Sequence, residues 1–140
     1  MSSVCLLQTC IIGVISALLW ALHGELTLLL VPLTGLGRQH EATLRRAGLS
    51  AVYMSSSTGA TSWINVKQMI AQNCVSILIV APEALCFNTG LRFFLADVGV
   101  GLTICDEGHV YDEWRAWRPT LGVAVSMVPS ARRLALSATV

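Results

Sequence analysis

Short, mainly apolar runs alternate along this chain with stretches whose apolar residues recur every three or four positions. The runs are Leu26–Val31, Ala51–Met54, Val75–Val80, Leu102–Cys105 and Leu134–Leu136. Their length, and the prolines that follow the first and third (Pro32, Pro82), predict strands buried on both faces. From Pro32 onward the period changes. Leu33, Leu36, His40, Leu44 and Ala47 share one helical face, Glu41 stands four before Arg45 in the favourable order, and Gly48 supplies the stop. Trp63, Val66, Met69 and Ile70 predict the inward face of a helix over 63–73, and Leu91, Phe94, Leu95 and Val98 that of a helix over 85–98. Gly99 and Gly101 release the chain into the strand 102–105, and Leu121–Val128 predicts a short helix stopped by Pro129. Strands alternating with helices predict an α/β fold, a mostly parallel sheet flanked by helices.

Residues 4–22 fall outside this alternation. They are nineteen positions without a charge, the length of a membrane-crossing helix. No Lys or Arg precedes them, only His23-Gly24-Glu25 follows, and Gln8, Thr9 and Ser16 interrupt them. Two readings stand, a helix buried in the domain and a membrane anchor. Residues 1–25 are therefore set apart as an apolar N-terminal segment, with one domain over 26–140.

Composition sharpens the picture in two places. Apolar residues make up 54% of the 140 and charged ones 12%, which suits a sheet covered on both sides. The net charge of +1 excludes a bulk electrostatic hold on nucleic acid, so any such contact is local. The five cysteines contain no Cys-x-x-Cys pair and no histidine at zinc spacing, and read as small buried hydrophobes.

The densest chemistry lies in Leu102–Pro119. The apolar run breaks at once into Asp106-Glu107-Gly108-His109. Adjacent carboxylates at the carboxyl end of a buried strand lie where open α/β sheets keep their ligand crevice, and two like charges side by side call for a cation. The loop behind them carries Trp114, Arg115, Trp117 and Arg118, a set suited to stacking on bases and holding phosphate.

Four blocks follow predicted strands in order: Pro32-Leu33-Thr34-Gly35-Leu36, Ala81-Pro82-Glu83, Asp106-Glu107-Gly108-His109 and Ser137-Ala138-Thr139. Together with the Trp-rich loop ending in Arg118-Pro119, they resemble the first RecA-like (P-loop NTPase) domain of superfamily 2 helicases, and within it the RecQ-type family. The resemblance covers about residues 26–140 and implies a partial helicase ATP-binding domain of an ATP-dependent 3'-5' DNA helicase. It implies ATP and Mg²⁺ as cofactors, DNA as partner (single-stranded or a duplex junction), and the nucleus as compartment. Asp106 would hold Mg²⁺, Glu107 would polarise the attacking water, and His109 would link the nucleotide to the last block. Ser137 and Thr139 would couple the ATP state to DNA. Trp114 and Trp117 would sense single strands, with Arg115 and Arg118 on phosphates. Thr34, Gly35, Arg38, Pro82 and Glu83 would line the strand-binding face.

The sequence departs from that pattern. Its 140 residues contain no Gly-x-x-x-x-Gly-Lys-Ser/Thr phosphate loop and no adenine-reading Gln block. Gly108 replaces the commoner Ala, and the loop after it is shorter by about one residue than the usual bacterial form and lacks its histidine. The expectation is a fragment or degenerate copy of a helicase, inactive alone as a hydrolase. Alternatives are a non-catalytic nucleic-acid-binding module and a membrane-anchored, vestigial helicase-like protein.

Overall fold

The structure, a computed structural model, describes residues 3–31, 34–54, 60–81, 84–85, 88–106 and 130–136. Its elements in chain order are α1 (Ser3–His23), β1 (Leu26–Leu30), α2 (Thr34–Arg46), β2 (Ala51–Met54), α3 (Ala60–Ala71), β3 (Ile77–Val80), α4 (Thr89–Val98), β4 (Val100–Asp106) and β5 (Ser130–Leu136). The strands form one sheet in the order β2-β3-β1-β4-β5. Every pairing is parallel.

The apolar runs become strands because both faces of the sheet are covered. On one face Leu26, Leu28 and Leu30 of β1 join Leu78 and Val80 of β3, Val66 and Ile70 of α3, and Leu91 and Leu95 of α4. On the other, Leu29 and Val31 join Ile77, Ile79, Leu102 and Ile104 beneath Ile12 of α1 and Leu44 of α2. Alternate residues of each strand thus feed alternate layers, as the period of two requires. The side on which each helix lies follows from the strand order. The α2 connection runs from β1 outward to β2, whereas those through α3 and α4 run back across the sheet. With right-handed crossovers, opposite directions place helices on opposite faces.

The uncharged helix α1 is a layer of this domain. Ile12, Ile15 and Leu19 pack on the sheet, and buried Thr9 and His40 join α1 to α2 through Oγ1 and Nδ1, 3.0 Å apart. Ile11, Val14, Leu18 and Leu22 form its exposed stripe. Among the described residues no helix is long and apolar enough to cross a membrane.

Several predicted details change. Met69 is 40% exposed and Val98 37%, rather than inward: Met69 lies beside the face that Val66 and Ile70 bury, and Val98 is the last residue of α4. Ala47 is exposed, since α2 ends at Arg46. The predicted helix over 85–98 is regular from Thr89, where the Asn88 side chain caps it by accepting the Leu91 N–H at 3.0 Å. β4 starts at Val100, two residues early, and takes in Gly101, where a Cβ would collide with the Glu25 carboxylate. Glu25 in turn pairs with Arg132 of β5 at 3.3 Å. β5 likewise starts early, at Ser130, four residues before the predicted run. The predicted helix 121–128 and the loop 55–59 lie outside the described residues.

Candidate functional site

Parallel register brings the strand ends to one edge. Leu30 of β1 is level with Val80 of β3 and with Cys105 of β4, and Asp106 is level with Leu136 of β5. The strands that lead into the four sequence blocks therefore finish in one row. β1 and β4 are neighbours in that row, and their onward connections diverge, β1 towards β2 and β4 towards β5. Such a reversal opens a crevice at the carboxyl edge of an open α/β sheet. Asp106, the last residue of β4, stands on its rim.

The same edge receives helix amino termini. α2 begins at Thr34, within four residues of the end of β1, and α4 at Thr89 after β3. Unpaired N–H groups and the helix dipole make such ends favourable for anions. Thr34 and Gly35 form the first turn of α2, and Arg38 lies one turn further on with its side chain exposed. The Arg38 guanidinium sits over the Tyr53 ring, 5.7 Å from its centroid. Gly37 permits the approach, since a Cβ there would overlap that ring. The contact holds a cation near the α2 terminus without neutralising it.

Below Arg38, α2 also closes the outer edge of the sheet. The Tyr53 N–H donates to Glu41 Oε2 at 2.6 Å, and Arg45 Nε donates to the Ala51 carbonyl at 2.7 Å. Glu41 and Arg45 themselves lie 3.6 Å apart. Two backbone groups of edge strand β2 thus find side-chain partners. Sequence reasoning saw Glu41 and Arg45 only as a pair within the helix and missed Tyr53 altogether. A tyrosine at the end of a predicted strand was the one available signal.

Of the predicted site residues, the described structure places Asp106, Thr34, Gly35 and Arg38 on this edge. The side chains of Asp106 and Thr34 lie outside the description, as do Pro82, Glu83, Glu107, His109, Trp114, Arg115, Trp117, Arg118, Ser137 and Thr139 altogether.

Comparison with known proteins matches residues 9–140 to the family model described as DEAD/DEAH box helicase. The chain belongs to the DEAD/DEAH box helicase family. The match takes in residues 9–25, which carry none of the sequence blocks, in keeping with α1 as a layer of the domain. One relative is an ATP-dependent DNA helicase RecQ of Pasteurella multocida (strain Pm70), 30% identical over 118 residues. The alignment covers 81% of this chain and 18% of that relative. Among solved structures, the Pyrococcus furiosus Hef helicase domain superposes with a TM-score of 0.63 at 11% identity. It covers 94% of this chain and 26% of the other. The C-terminal part of the Fun30 ATPase domain superposes at 0.61 with 12% identity, over 91% of this chain and 40% of the other. These two likenesses show the fold, a RecA-like α/β sheet domain.

Proposed function

We propose that this helicase-family chain is the DNA-facing, Mg–ATP-facing part of a RecQ-type 3'-5' DNA helicase, and that DNA binding is the function these 140 residues perform alone. The observation that carries this reading is the shared edge, where the strands leading into all four blocks end in one row and α2 begins after β1. A single carboxylate residue at a strand end fits a Mg²⁺ shared with phosphate oxygens, which one or two protein carboxylates normally hold. Bound Mg–ATP would supply the phosphoryl group to be transferred and the metal that neutralises its charge. Asp106 would hold the metal, Glu107 would orient and polarise the water, and His109, Ser137 and Thr139 would carry the nucleotide state towards DNA. Arg38, with Thr34, Gly35, Pro82 and Glu83, would track the DNA backbone, contacts that set register rather than sequence. Trp114, Arg115, Trp117 and Arg118 would add stacking and phosphate contacts.

Hydrolysis also needs backbone amides and a lysine around the phosphates. The 140 residues contain no such loop, so turnover by these residues alone is not expected. The test uses the full 140-residue chain in two assays. Fluorescence anisotropy should show salt-dependent single-strand binding that weakens by about 1–3 kcal/mol in Trp114→Ala. An ATPase assay with and without DNA should stay at background. Absent DNA binding would sink the DNA-binding reading. DNA-stimulated hydrolysis lost in Glu107→Gln would refute the claim that these residues lack turnover.

A further inference from the structure

We infer that the opposite, amino-terminal end of the sheet carries a second site, one that takes an alkylammonium or alkylguanidinium group. A cavity of 280 Å³ opens there, lined by Gly24, Leu26, Ile70, Asn73, Val98 and Gly99, among others. Its size is just under the roughly 300 Å³ at which pockets for small molecules begin, so it suits a short chain or one side chain. Three helices finish on its wall. α1 ends at His23, α3 at Ala71 and α4 at Val98. Each is followed within two residues by a left-handed residue, Gly24 at φ 65°, Asn73 at 59° and Gly99 at 82°. The helices have 21, 12 and 10 residues, long enough for each end to present about half a negative charge.

The convergence is a product of the fold. Parallel strands joined through helices put helix amino termini at the nucleotide edge and carboxyl termini at this one. Among the described residues no charged side chain lines the cavity, so the field of the three ends meets no cation from them on its wall. Leu26, Ile70, Val75 and Val98 supply apolar walls, and the Asn73 carboxamide supplies a polar group beside Gly24. Negative ends over an apolar wall favour a cation on an aliphatic stem above an anion or a strongly hydrated metal ion. A free amine and a lysine or arginine presented by another protein share that chemistry.

Titration of the isotopically labelled full chain tests it. Butylammonium should shift the amide resonances of Gly24, Asn73 and Gly99 saturably, binding at least about fivefold tighter than butanol, with butyrate inert. The preference should shrink in about 1 M salt, where charges are screened. Tighter binding of N-acetyl-lysine methylamide than of butylammonium would assign the site to a partner's side chain, and the reverse to a free amine. A paired substitution reads the field without ligand. Val98→Lys should melt higher than Val98→Met and abolish butylammonium binding. Equal binding of butanol and butylammonium, or equal melting of the two variants, would overturn the inference.

Discussion

The outer edge of the sheet is closed by two side chains of one helix, and Glu41→Ala removes the more important of them. The Glu41 carboxylate accepts the Tyr53 N–H at 2.6 Å, while its partner Arg45 lies 3.6 Å away. A hydrogen bond to a charged acceptor contributes about 1.5–3 kcal/mol. Tyr53 is half-buried, so water reaches its amide in part, and the lower half of that range applies. The ion pair adds little. The Arg45 side chain is 57% exposed and that of Glu41 22%, and exposed pairs at this spacing give at most about 0.5 kcal/mol. Glu41→Ala should therefore cost about 2 kcal/mol. In urea, with a slope of about 1–3 kcal/mol per molar, the midpoint followed by far-ultraviolet circular dichroism falls by roughly 1 M. Glu41→Gln keeps an acceptor oxygen and should retain about half of the stability lost in Glu41→Ala, since neutral hydrogen bonds contribute about 1 kcal/mol. The coupling in a Glu41→Ala, Arg45→Ala cycle should not exceed about 0.5 kcal/mol. A Glu41→Ala variant within about 0.5 kcal/mol of the parent would mean that water replaces the carboxylate at no cost. A Glu41→Gln variant as unstable as Glu41→Ala would mean that the charge, rather than the hydrogen bond, holds the edge.

Two further substitutions separate packing from exposure. Leu95→Ala empties a fully buried position between α4 and the sheet and should cost about 2–5 kcal/mol in the same urea assay, whereas Phe93→Ala, at a position 72% exposed, should stay within about 0.5 kcal/mol. Gly37→Ala drives a methyl group into the Tyr53 ring and should cost about 1–3 kcal/mol. Because the displaced ring also carries Arg38, DNA affinity measured by anisotropy should fall with it.

The strands were legible in the sequence because burial on both faces leaves a mainly apolar run without polar alternation, and all five runs became part of one sheet. Their boundaries were less legible. Periodicity states which residues share a helix face but not where the surface opposite that face stops. Met69, at the margin of the face that Ile70 buries, and Val98, at the last position of its helix, are both exposed. Residues 4–22 left two readings open because an uncharged helix serves equally as a membrane span and as a core layer. Only the packing of Ile12, Ile15 and Leu19 against the sheet places it in the domain. At the candidate site, the blocks could be ordered along the chain, but that the strands leading into them finish in one row required the register, Leu30 with both Val80 and Cys105, which no local pattern encodes. Tyr53 was missed for the same reason. Its contacts with Gly37, Arg38 and Glu41 join a strand to a helix at a distance set by packing.

One property of the fold accounts for both ends of the molecule. Every strand runs the same way, and each helix between strands runs back against them. Dipoles therefore add along the sheet axis, positive at the edge where Thr34 and Asp106 lie and negative where Gly24, Asn73 and Gly99 lie. At the first edge this favours phosphate oxygens, which supports the proposed DNA-binding face in a sequence without a phosphate loop. It does not explain hydrolysis, which needs a lysine and amides placed around one phosphate rather than a field spread over an edge. In the proposed reading Asp106 and Glu107 belong to hydrolysis, while the polarity of the sheet favours binding. The two separate in experiment: Asp106→Asn should leave single-strand affinity in Mg²⁺-free buffer unchanged, and Arg38→Ala should lower it. A loss of affinity in Asp106→Asn equal to that in Arg38→Ala would place the carboxylate in the DNA contact itself.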